Sequence, residues 1–136
     1  MNGDKSYAEE IGNTFIYLQL VEEALRNYFE TKGDVNYTVE DSLGLLVGKL
    51  KHHNNNIQLH DKLDNLNSDR IELAHFVWLR YKNEFREEIL NSNLKGNDFI
   101  EKMDSFISQK IESVEKINDR ARECFVALLY ETRSLP

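Results

Sequence analysis

Hydrophobic residues recur along this chain at steps of three and four, the spacing of one face of an α-helix, and no stretch of any length alternates apolar and polar residues as a strand would. The first run, Ala8, Ile11, Phe15, Leu18, Val21, Leu25 and Phe29, makes one stripe and predicts a helix over about residues 6–32, ended by Gly33 and Asp34. A short second helix follows Thr38, capped by Asp41 or Ser42. Leu43, Leu46, Val47 and Leu50 form its inner face, and Gly44 and Gly48 lie one turn apart, small enough to allow close helix contact. Asn54-Asn55-Asn56 reads as a loop, and a third helix carries Ile57, Leu59, Leu63 and Leu66. Asn67 or Ser68 then caps a fourth helix, with Asp69 in its first turn. That helix runs to about residue 91 on the stripe Ile71, Ala74, Trp78, Tyr81, Phe85 and Ile89, widened by Leu73 and Val77. Lys95-Gly96-Asn97 is a turn. The last helix, about residues 98–132, follows Phe99, Met103, Phe106, Lys110, Val114, Ile117, Ala121, Cys124 and Leu128.

The chain's one proline is Pro136, so no internal proline interrupts these runs. The pattern predicts an all-α fold: an up-and-down helical bundle of about five helices, with a short helical insert between its long members. At 136 residues the expected organisation is a single domain over 1–136, its core about 6–132, large enough to fold without disulfide or structural metal.

Composition narrows the function. With 17 basic and 24 acidic residues the net charge is -7, which opposes broad binding to nucleic acid or anionic membrane but leaves room for a small basic cleft. Cys124 is the one cysteine and lies on the apolar side of the last helix, so it reads as a small buried hydrophobe in a reducing compartment. Met1 to Lys5 shows no basic region followed by an apolar run, and no stretch approaches the roughly 20 apolar residues of a membrane span. The expectation is a cytoplasmic protein without a membrane partner.

The stretch that carries chemistry is Ser68-Asp69-Arg70-Ile71-Glu72-Leu73-Ala74-His75-Phe76. Arg70 is expected in the first turn of the fourth helix, with His75 five residues on. At 100° per residue the two point roughly 140° apart and flank the apolar stripe. RNA is cut without metal when its 2′-hydroxyl attacks the adjacent phosphate. That step needs a base, an acid for the leaving oxygen, and positive charge at the phosphorane. Histidine serves as acid or base near neutral pH. Arginine offers a fixed fork of donors to phosphate oxygens, and a helix N-terminus favours an anion. One histidine is thin for two proton transfers, and a symmetric dimer would bring a second Arg–His pair to the same cleft. The plainer alternative pairs Arg70 with Asp69 or Glu72 and leaves His75 hydrogen-bonded at the edge of the core.

This stretch resembles the signature of HEPN domains, in which arginine and histidine are separated by four to six residues, often as R-N-x-L-A-H. Arg70, Leu73, Ala74 and His75 match that version, whereas Ile71 stands where the family usually has a polar residue, commonly asparagine. Ser42-Leu43-Gly44-Leu45-Leu46 after Thr38 resembles the T-L-G-x-L element of some members, and the order of long and short helices is similar over about residues 8–130. The tyrosine that some HEPN toxins carry two residues after the histidine is here Val77. The resemblance implies a metal-independent endoribonuclease of toxin, phage-defence or stress type. It would act as a homodimer on an RNA substrate, with an antitoxin or regulatory protein as a partner. Arg70 would hold phosphate and stabilise its developing charge, and His75 would act as general acid or base. Other family members are non-catalytic, so a helical interaction or dimerisation module of the same fold is the second reading.

Remaining features are weighed against blander roles. Lys49, Lys51, His52 and His53 form the most basic spot in the chain; Lys49 and Lys51 are candidates for RNA-backbone contact, against a solvated face. His52, His53, His60 and Asp61 fit no standard metal spacing, and no metal or cofactor is expected. Trp78, Tyr81 and Phe85 at helical spacing suit core or dimer interface better than a base-stacking platform. Glu9-Glu10, Glu22-Glu23 and Glu87-Glu88 read as surface pairs. Glu72-Leu73-Ala74-His75 is one Glu-x-x-His motif with no second copy, which argues against a di-iron site.

Overall fold

The computed structural model describes residues 6–33, 41–75 and 77–135, apart from the side chains of 74–79. Among the described residues it holds five α-helices, one π turn and no strand, so the chain is an all-α helical bundle. No described helix is long and apolar enough to cross a membrane.

Helix α1 (Tyr7–Lys32) begins at an N-cap: the Ser6 hydroxyl accepts from the Glu9 amide at 3.1 Å, with the acidic Glu9 in the first turn. It ends at Gly33, whose φ of 83° is the left-handed conformation that glycine adopts without cost. Helix α2 (Leu43–His53) buries Leu43, Leu46, Val47 and Leu50, as its spacing predicts. Of the two small residues on it, Gly44 alone sits at a close approach. A Cβ there would come within 3.1 Å of the Asn67 side chain, whereas Gly48 faces open space.

Two expected helices prove to be one. Helix α3 (Ile57–His75) runs straight through Asn67 and Ser68, where a new N-terminus was predicted. The cap belongs to Asn56, whose Oδ1 accepts from the Leu59 amide at 3.2 Å. Leu59, Leu63, Leu66 and Leu73 are all buried along a single face, and that shared burial holds the helix together across two weak helix formers. Ile71 does not belong to the buried stripe and is 40% exposed. It lies roughly 160° around the helix from Leu73, so the core can take only one of the two. After α3 come α4 (Val77–Phe85) and a π turn (Arg86–Leu90), closed where the Asn91 amide donates to the Arg86 carbonyl at 2.9 Å. Helix α5 (Gly96–Arg133) starts at Gly96 itself, with φ 61°, rather than after it.

Pairings fix the directions. Asn118 on α5 meets Glu10 on α1, and the Arg122 guanidinium lies 4.9 Å from the Tyr17 ring, so α1 and α5 run parallel. Asn56 and Asp69 meet Glu131 and Arg120, so α3 runs antiparallel to α5. From the Glu10–Asn118 contact, α1 reaches back to Tyr7, while α5 reaches back twenty-two residues to Gly96, about 33 Å of helix. Among the described residues, the first part of α5 therefore lies beside α4 and the π turn alone. There Phe106 meets the Tyr81 and Phe85 rings edge-on at 5.3 and 5.7 Å.

The α1–α5 seam departs from the expected stripe. Glu10, Thr14 and Asn118 are buried in it, while Phe15 is 37% exposed and Ala8 is exposed. Glu10 is thus no surface carboxylate: its Oε1 accepts from Asn118 Nδ2 at 3.2 Å, and Thr14 Oγ1 donates to the Glu10 carbonyl at 2.8 Å. Cys124 is buried, and burial pushes its thiol up to about 11 from an ordinary value of 9.0, consistent with an inert core residue.

The Asn54-Asn55-Asn56 loop is a clamp. Asn54 Nδ2 donates to the Tyr28 hydroxyl at 3.2 Å and to Glu131 Oε2 at 3.0 Å, and Asn56 Nδ2 donates to Glu131 Oε1. Asn56→Ala removes both the cap of α3 and one of these bridges, so it is expected to lower stability by about 1–2 kcal/mol. Urea unfolding measures this, and an unchanged midpoint would show that the clamp contributes nothing.

Candidate functional site

Arg70 lies thirteen residues after the start of α3, in the helix interior. The expected helix N-terminus beside it is therefore absent, and with it the backbone contribution to anion binding. What the helix supplies instead is a side chain. Arg70 Nε donates to Asn67 Oδ1, one turn earlier, at 3.3 Å, and Asn67 is in turn seated against Gly44 of α2. Neither predicted carboxylate partner takes the guanidinium: Asp69 pairs with Arg120 at 3.0 Å, and Glu72 pairs with Arg80. Among the described residues Arg70 has no carboxylate partner, and its half-buried fork keeps its terminal nitrogens for another acceptor. Burial, opposed by Arg120, raises the Asp69 carboxyl above its ordinary range, and the neighbouring Glu72 adds to the rise.

His75 is the last residue of α3, and its side chain, like those of Ala74, Val77 and Trp78, lies outside the described residues. The two lysines separate. Lys49 turns to Asp41 and Lys51 crosses to Asp64 on α3, each at 2.7 Å, so both ammonium groups have carboxylate partners inside the chain. Arg70 for its part stands beside Asn67, the residue seated against Gly44 at the start of α2. No family model, no curated protein and no solved structure matches the chain. No group of three or more His, Cys, Asp or Glu side chains among the described residues could hold a metal ion.

A concave feature opens where α1, α3, α4 and α5 converge, with a volume of about 290 Å³. Leu73, Val114 and Ile117 form its apolar floor. Tyr7 and Tyr81 stack at 4.6 Å along one wall. Two ion pairs line it, Arg80 with Glu72 and Lys110 with Glu84. Burial and the nearby Arg80 charge hold the Lys110 ammonium below its ordinary value, and the Lys110 nitrogen also lies 5.2 Å from the Phe106 ring. Burial raises the Tyr7 phenol. Sequence reading missed this cleft because its charged residues come from three helices and share no local spacing. Lys110, a cation in the middle of the α5 apolar stripe, was the one signal that could have pointed to it.

Proposed function

We propose that the chain is a HEPN-type domain that cleaves RNA without a metal ion, acting as a homodimer in a cytoplasmic toxin, defence or stress setting. One observation carries the reading. Arg70 is pinned through Nε to Asn67, has no carboxylate partner among the described residues, and stands on the same helix as His75. In an acidic chain where Arg80, Lys110, Arg120 and both predicted RNA-binding lysines have carboxylate partners, a fork left for an external acceptor suits phosphate. Asn67, one turn before Arg70, also places an amide beside the arginine, where the residue following it is the apolar Ile71.

In this reading the 2′-hydroxyl loses its proton to a base and attacks phosphorus. The 5′-oxygen leaves with a proton from an acid, giving a 2′,3′-cyclic phosphate and a 5′-hydroxyl end. Arg70 holds the non-bridging oxygens as charge develops, and His75 takes one of the two proton roles. A second subunit would supply the other, and an antitoxin or regulatory protein belongs to the same setting.

A second reading, a non-catalytic helical interaction module, draws support from Ile71. That side chain is exposed beside Arg70, while Lys49 and Lys51 are engaged by Asp41 and Asp64. Incubation of a structured RNA in excess chelator with wild type and His75→Ala separates the two. Cutting by wild type that disappears in a folded His75→Ala variant is expected. Cutting by neither, or equal cutting by both, removes His75 from the assignment and leaves the interaction module.

A further inference from the structure

We propose that the cleft between α1, α3, α4 and α5 binds a small zwitterion bearing an apolar or aromatic side chain, the chemistry of a free hydrophobic amino acid. The inference is independent of the RNA reading, since Arg70 is not part of the cleft.

Size comes first. A volume of about 290 Å³ lies at the bottom of the roughly 300–1,000 Å³ range of small-molecule sites, so the cleft takes one compact ligand. Charge comes second. Among the described residues the cleft holds two cations, Arg80 and Lys110, and two carboxylates, Glu72 and Glu84, which sum to zero. A lone anion or a lone cation entering there leaves a charge without compensation in a partly desolvated space, which is costly. A ligand carrying both signs keeps the balance. Its carboxylate has Arg80 and Lys110 to meet, and its ammonium has Glu72 and Glu84. The groups are reachable, with side-chain exposures of 23% for Lys110 and 33% for Glu84.

Apolar surface is the third argument. Ile117 and the stacked Tyr7 and Tyr81 are partly exposed and give the cleft its apolar surface, with Leu73 and Val114 almost wholly buried behind them. That floor and wall suit a hydrophobic side chain, and an aromatic ring packs well against stacked tyrosines. The resulting polarity, charged at the mouth and apolar below, is the polarity of an amino acid such as phenylalanine or leucine.

The test titrates the full chain with L-phenylalanine by calorimetry, beside 3-phenylpropanoate, which lacks the amine, and phenethylamine, which lacks the carboxylate. Saturable binding of L-phenylalanine at one site is expected, about tenfold or more tighter than either analogue, since each loses charge-assisted hydrogen bonds. Lys110→Gln is expected to weaken it by about tenfold. Ser113→Phe, which fills the cleft from the exposed wall and alters no charge, is expected to block it and serves if the lysine variant does not fold. No saturable binding up to the solubility limit, equal binding of a single-charge analogue, or undiminished binding by a folded Ser113→Phe variant each overturns the proposal.

Discussion

Arg70→Ala is expected to slow metal-independent RNA cleavage by about 10²–10³-fold while the protein stays folded. Removing one preorganised donor from a site of developing negative charge has an effect of that size, because the lost interaction is stronger in the transition state than in the ground state. The structural cost is small. Among the described residues the side chain makes one hydrogen bond, 3.3 Å to Asn67, so its loss lowers stability by about 1 kcal/mol at most. Arg70→Lys sharpens the result. Lysine keeps the charge but lacks the planar fork and the Nε tether to Asn67, so it is expected to restore only part of the rate. Single-turnover cleavage in excess chelator reads both variants. An Arg70→Ala protein that cuts as fast as wild type places the phosphate elsewhere.

Phe29→Ala is expected to cost about 3–5 kcal/mol, enough to bring a domain of ordinary stability close to unfolding. Phe29 is 1% exposed near the C-terminal end of α1. Its ring meets Tyr28 at 5.9 Å and His53, the last residue of α2, at 6.2 Å, both edge-on. Truncation leaves a ring-sized void where α1 and α2 join and removes both aromatic contacts. The melting temperature is expected to fall by about 10–20 °C. A loss under about 1 kcal/mol in urea unfolding would take Phe29 out of the load shared by the core.

The long periodic runs of this chain announced the fold. Helix α1, its Gly33 terminus, the inner face of α2 and the extent of α5 all follow from spacing three and four, because tertiary packing rewards the same face that periodicity marks. Local cap chemistry misled at Asn67-Ser68. Both residues favour caps when considered alone, yet Leu66 and Leu73 are buried on either side of them and Asn67 is engaged by Arg70 and Gly44. The true cap, Asn56, lay in what reads as a plain asparagine loop, and its second partner, Glu131, is seventy-five residues away. Distance in sequence hid the cleft for the same reason, since Tyr7, Arg80 and Lys110 meet only in the folded chain. Arg70 itself was legible as a donor, but whether it had a carboxylate partner was not, because Asp69 and Glu72 are neighbours of Arg70 that bind other arginines.

The unequal reach of α1 and α5 divides the molecule mechanically. Around Leu63, Leu128 and Phe29, helices α1, α2, α3 and α5 share a common core, so opening any of these four is close to opening the whole domain. Between Gly96 and Phe106 the start of α5 packs on the π turn, and Leu90, Leu94 and Ile100 there are already in contact with water. Of the side chains in the π turn Ile89 alone is buried, so separating those two strands of helix forfeits few apolar contacts beyond that one. The hairpin is thus a region of low opening free energy attached to one of high opening free energy, and force or a partner applied at its tip bends it before the core yields.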